Sequence, residues 1–152
     1  MGLKNCKGIT LLALVVTVIV LLIIATISMN YGTEVLEKTK LDSIKTNMLL
    51  IEAKAKLYAE EYNFSGDISS LHGTKVSSTT DVNVLEYNAS VGNKYSNYYY
   101  VNPSTLSEMG LNIRDGHYLV NYDINNMEVV YIEGVQVGEN VYHTLTELRN
   151  LE

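Results

Sequence analysis

Cysteine occurs once in the 152 residues, at Cys6, and proline once, at Pro103. With a single thiol the chain closes no internal disulfide, so everything after residue 6 is held by packing and hydrogen bonds alone. The lack of proline before residue 103 leaves the first two thirds free of the strongest helix breaker. Tryptophan is absent and phenylalanine occurs once, against 12 tyrosines. Motifs that carry chemistry are missing as well. There is no glycine-rich phosphate loop, no G-x-S-x-G elbow and no thiol nucleophile beyond residue 6. His72, His117 and His143 lack the i, i+4 spacing of a helical metal pair, and Asp123, Asn125 and Glu128 lack the order of a calcium loop. The sequence therefore predicts no catalytic residue, no cofactor and no metal site.

One further absence is a positive signal: no charge stands anywhere in the 21 residues from Ile9 to Met29. At about 1.5 Å rise per residue this run makes a helix of roughly 32 Å, enough to cross a hydrocarbon core of about 30 Å. A removable secretory signal has a shorter apolar stretch, typically about 7–15 residues, followed by a small-residue cleavage site. Here the run is longer and leaves through Ser28-Met29-Asn30-Tyr31. Lys4 and Lys7, just ahead of it, resist translocation. The expected topology is a single pass of the cell membrane with the N-terminus cytoplasmic and the C-terminal domain extracellular.

The junction Lys7-Gly8-Ile9-Thr10-Leu11-Leu12-Ala13-Leu14-Val15-Val16 resembles the N-terminus of type IV prepilins and type II secretion pseudopilins. The likeness is close over about the first 30 residues and beyond them extends only to layout. It implies a basic leader, residues 1–8, cut between Gly8 and Ile9 by a prepilin peptidase that also methylates the new N-terminal amine. Glycine suits such a site because its backbone lies close against an enzyme. It further implies a structural subunit of a pilus-like or secretion-type filament, serving adhesion, motility, secretion or DNA uptake. Its implied partners are other pilin copies or sibling pilins, and an assembly platform protein with its ATPase. The assembly surface would be Leu11, Leu12, Ala13, Leu14, Val15, Val16, Val18, Ile19, Leu22 and Ile23. Most mature members carry glutamate at their fifth residue, where this chain has Ala13. Three readings stay open: a filament-tip subunit, a divergent branch that satisfies the amine through Thr10, Thr17 or backbone carbonyls, or a protein that does not polymerise. In the last case the alternative function is a single-pass anchored extracellular binding module.

Charge fits this layout. The whole chain carries a net charge of −6, and removing Lys4 and Lys7 leaves nine basic against 17 acidic residues, a net of −8. Such a surface is repelled by a phosphate backbone, so direct nucleic-acid binding is not expected.

Beyond the apolar run, which occupies 9–29, an amphipathic extension is expected over 30–62. Leu41, Ile44, Met48, Ile51, Ala55, Tyr58 and Tyr62 follow one another at helical spacing and trace a single apolar seam. Lys45, Glu52, Lys54, Lys56, Glu60 and Glu61 are assigned to the polar faces, with Glu52 and Lys56 as an i, i+4 pair. Residues 9–62 then read as one nearly continuous helix of about 80 Å, weakest at Asn30-Tyr31-Gly32. The seam is expected to pack on the chain's own sheet rather than on a second copy.

Residues 63–152 form the expected exported β-rich domain. Ser65-Gly66-Asp67 ends the helix, and 73–81 reads as an irregular loop. Tyr98 to Val101 is a candidate strand, and Pro103 to Gly110 a short helix stopped by its glycine. Residues 117–123 and 127–132 flank Ile124-Asn125-Asn126 as a hairpin. Gly134 to Gly138 reads as another strand and Leu145 to Leu151 as a final helical turn. The predicted fold class is α+β, a long N-terminal helix on a small antiparallel sheet, the layout of pilins. The tyrosines read as sheet residues, with an adhesive patch of Tyr95, Tyr98, Tyr99 and Tyr100 as the sharper possibility.

Overall fold

The computed structural model describes the backbone of residues 3–151 and the side chains of residues 10–27 and 34–151. Helix α1, Leu3–Ser65, is followed by β1 (Thr74–Lys75), α2 (Val82–Ser90), β2 (Tyr99–Val101), α3 (Pro103–Glu108), β3 (Tyr118–Asn121), β4 (Glu128–Val137), β5 (Asn140–Thr144) and α4 (Leu145–Arg149). The chain divides into two units, Met1–Thr39 and Lys40–Glu152. The first consists of helix within the described residues; the second holds the sheet and its covering helices.

In the second unit the strands form one antiparallel meander in the order β1-β2-β3-β4-β5. Side chains alternate across a strand, so the register sorts them into two faces. Val101, Tyr118 and Tyr131 are cross-strand neighbours on one face, as are Tyr99, Val120 and Val129. Against this face lie Ile44, Met48, Ile51, Ala55 and Ala59 of α1, all buried in one cluster with Leu106, Leu145 and Leu148. Burying each large apolar side chain contributes about 1.5–3 kcal/mol before entropy is counted. The helical seam is therefore self-packed, as its spacing predicts, with Tyr58 and Leu41 half-buried at its margins.

The other face, Tyr100, Leu119, Val130 and Ile132, packs with Val76, Val84 and Tyr95. Its cover is α2, an element with no counterpart in the sequence reading. The Asp81 carboxylate caps α2 by accepting from the Val84 N–H at 3.2 Å, satisfying one of the free donors of a helix start. Asn88, buried in the same layer, accepts from the Tyr95 N–H at 2.9 Å and donates to Ser96 Oγ at 3.1 Å. These bonds fold the segment after α2 back toward β2. The sheet is thus covered on both faces, where the sequence led to the expectation of one.

Shorter elements follow their local chemistry. Asn102 caps α3 through the Thr105 N–H at 2.8 Å, with Pro103 in the first turn, where its missing donor costs nothing. Thr144 and Glu147 form a reciprocal capping box on α4. The predicted helix end near Ser65-Gly66 is observed: Gly66 takes φ +70° and donates to the Tyr62 carbonyl at 2.7 Å.

Five further expectations are corrected. Residues 73–81 are not all irregular, since β1 pairs with β2 through Thr74 and Tyr100. The hairpin is present, but its loop is wider than three residues, because Asn121 pairs with Glu128. Gly134 to Gly138 is not a separate strand: β4 runs through it as a bulge, and β5 pairs back beyond Gly138. Glu52 is not on a polar face; it is 6% exposed. Of the tyrosines proposed as a patch, Tyr95 and Tyr100 are core residues, and Tyr98 and Tyr99 are half-buried. The α+β class itself, with an apolar N-terminal helix, is observed. Asn30, Tyr31 and Gly32 fall within the backbone of α1, and their side chains lie outside the described residues.

Candidate functional site

Thr10–Ile27 of α1 is long and apolar enough to cross a membrane, with a mean hydropathy of 3.1 and none of its residues buried. Leu11, Leu12, Leu14, Val15, Val16, Val18, Ile19, Leu22 and Ile23 are all exposed large apolar side chains, and Ala13 is exposed among them. A helix apolar on every side is ordinarily buried in a protein or in lipid. Its composition carries the same message. Val, Ile and Thr lower helix propensity in water, but in lipid the backbone must satisfy its own hydrogen bonds and helix is the available form.

Two hydroxyls in this stretch, those of Thr17 and Thr26, turn onto the helix backbone. Thr17 Oγ1 donates to the Leu14 carbonyl at 2.7 Å, and Thr26 Oγ1 donates to the Ile23 carbonyl at 2.8 Å. Each spends its donor on its own helix, which removes the penalty of an unpaired hydroxyl in hydrocarbon. Lys4, Lys7, Gly8 and Ile9 belong to the backbone of α1, and their side chains lie outside the described residues.

The second unit holds polar constellations that spacing alone did not reveal. Glu52 accepts from Arg149 Nη2 at 3.0 Å and pairs with Lys56 Nζ at 2.8 Å. Burial pushes the Glu52 pKa up, but the hydrogen bonds from Arg149 and Lys56 outweigh it and hold the carboxyl below its ordinary value. His117 bridges two carboxylates. Its Nδ1 meets Glu133 Oε1 in a short contact, and its Nε2 lies 3.8 Å from Asp81 Oδ2. The Tyr100 ring stacks on His117 and its hydroxyl donates to Asp81 at 3.3 Å. Burial first, then the Asp81 charge, push the Tyr100 phenol up to about 12.

His72 and His143 are elsewhere, with His143 Nδ1 3.1 Å from the Tyr131 carbonyl and the His72 ring against Tyr58. Asp123 and Glu128 are engaged by their own neighbourhood: Asp123 accepts from the Asn125 N–H at 3.0 Å and Glu128 from the Thr146 N–H at 3.2 Å. Among the described residues no three His, Cys, Asp or Glu side chains converge on a metal-sized site. The signal for the missed His117 group was the start of α2: Asp81 followed by Val84, Tyr87, Asn88 and Val91 at spacings of three and four. Comparison with protein-family models, with curated proteins and with solved structures finds no match.

Proposed function

We propose that this protein is a structural subunit of a type IV pilus-like or secretion-type filament, cut after Gly8 and assembled through its apolar helix. The observation that carries this reading is the exposed, uncharged stretch Thr10–Ile27 directly behind a basic leader that ends in glycine. Before assembly the stretch anchors the chain in the cell membrane, with residues 63–152 outside. Extraction into a filament then exchanges lipid for the same stretch of neighbouring copies or siblings. Its internally bonded threonines suit that exchange, because neither surrounding has to supply them a partner. The seam from Ile44 to Ala59 is already used by the sheet, which leaves the N-terminal stretch as the surface for other copies. This role calls for no catalytic residue, cofactor or metal, and for a prepilin peptidase, a platform protein and an ATPase as partners.

Co-expression with a prepilin peptidase, followed by intact-mass measurement, tests the reading. The expected product begins at a methylated Ile9. An intact Met1 under conditions where a control prepilin is cut, or cleavage near Ser28, would overturn it in favour of a merely anchored or secreted domain.

A further inference from the structure

A cleft of about 400 Å³ opens in the second unit between the end of α1, β1 and the β3–β4 turn. That is near the lower end of ordinary ligand sites, roughly 300–1,000 Å³. Tyr122 forms its fixed wall: the ring is 8% exposed and the hydroxyl donates to the His72 carbonyl at 2.7 Å. Tyr99 meets Tyr122 edge-on with ring centroids 5.2 Å apart, and Tyr62 is half-buried on the α1 side. Partly accessible Tyr99 thus stands against the buried Tyr122 ring, with half-buried Tyr62 lining the same cleft.

Four asparagines also line the cleft. Asn121 is committed to the turn, donating to the Asn126 carbonyl at 2.9 Å and accepting from the Asp123 N–H at 3.2 Å. Asn63, Asn97 and Asn125 are different: their side-chain amides are exposed and make no hydrogen bond among the described residues. Each sets two donors beside an acceptor in one plane. The only charged side chains in the lining are Lys75 and Asp123, which cancel. Asp123 is already engaged by Asn125 and Asn126, and Lys75 lies 6.0 Å from the centroid of Tyr99.

We propose that this cleft binds a neutral saccharide of one or two rings. A sugar presents hydroxyls that both donate and accept, which free planar amides match. It also presents C–H faces, which lie against aromatic rings that are apolar in the body and polar at the tip. An ionic ligand would meet no net charge here, and a purely apolar one would desolvate three amides without replacing their bonds. Two other clefts lack this combination. The one of about 530 Å³ beside Ser78 and Ser104 has only Tyr100 as its ring, buried against His117. The one of about 450 Å³ beside Pro103 and Arg114 has no aromatic lining. The saccharide site stands whether or not residues 9–29 polymerise.

The test uses the full chain in phosphocholine micelles, which carry no sugar headgroup, with saturation-transfer NMR. Cellobiose, maltose, lactose and N,N′-diacetylchitobiose are the probes, and a capped neutral tripeptide is the comparison. Transfer to at least one disaccharide is expected. Asn97→Ala and Asn125→Ala should each weaken it about fivefold or more, with an unchanged thermal midpoint, while Glu86→Ala on α2 leaves it intact. Transfer to none of the disaccharides, transfer to the tripeptide alone, or transfer that survives both asparagine substitutions would overturn the proposal.

Discussion

The Glu52 carboxylate of α1 and the Arg149 guanidinium of α4 meet at 3.0 Å, joining positions 97 residues apart. Glu52 is nearly buried whereas Arg149 is about half exposed, so solvent screens the attraction from one side. Removing Arg149 leaves the carboxylate with Lys56 alone. Arg149→Ala should destabilise the second unit by about 1–2 kcal/mol, read from urea unfolding of the full chain. Because the folded pKa of Glu52 lies below its ordinary value of 4.5, its contribution is complete above that pH and fades as pH falls through the folded value. The variant should therefore lose less stability on acidification than the parent.

Alkaline pH tests the tyrosines. Burial, reinforced by Asp81 at Tyr100 and by Glu133 at Tyr131, pushes both phenols up to about 12 from an ordinary 10.0. A raised folded pKa means stability that is complete below pH 10 and lost as pH rises from there toward 12. Ultraviolet titration should show these phenols ionising later than those of the urea-unfolded chain. Tyr100→Phe should unfold at a higher pH than the parent.

Gly134 sits in the β4 bulge at φ +73°, and a Cβ there would lie 2.5 Å from Val141 Cγ1 and 2.7 Å from His143 Cε1. Gly138 has a similar φ of +64° but open space around it. Gly138→Ala should cost about 1 kcal/mol for the left-handed backbone alone. Gly134→Ala carries the same strain plus the collision and should cost about 2–3 kcal/mol, seen as the larger drop in denaturant midpoint.

Ile19 lies near the middle of the Thr10–Ile27 stretch. A charge placed there costs about 2.5–3.5 kcal/mol of insertion free energy. Ile19→Arg should reduce the fraction of protein that stays with membranes through alkaline extraction, and Ile19→Leu should leave it unchanged.

The parts most legible in the sequence were those with a long, single-period pattern. The uncharged run and the seam from Leu41 to Tyr62 each repeat one signal over many turns, and the Pro103–Gly110 helix is framed by a proline and a glycine. The second helical layer was harder to see. Only Val84 of α2 is a fully buried apolar side chain, and its neighbour in the core is the amide of Asn88, which no hydropathy pattern marks. The β4 bulge was hidden for a related reason, because glycines at 134 and 138 look alike in sequence although one interrupts a strand and the other turns it. Glu52 read as surface because only Lys56, of its two cationic partners, is local, and Arg149 arrives from the last helix. The cleft beside Tyr99 and Tyr122 draws its amides from three separate segments, around Asn63, Asn97 and the β3–β4 turn, so no local spacing announces it.

Every strand of the meander pairs with the strand next to it in sequence. The β3–β4 and β4–β5 connections, Asn121 to Glu128 and Val137 to Asn140, are short and close at little cost in chain entropy, whereas β1 reaches β2 only through α2, and β2 reaches β3 only through α3. The docking of residues 44–59 on the sheet spans the longest separations, such as Glu52 to Arg149. Stopped-flow refolding should therefore show the β3–β4–β5 part of the sheet forming ahead of the closure that seats the helix.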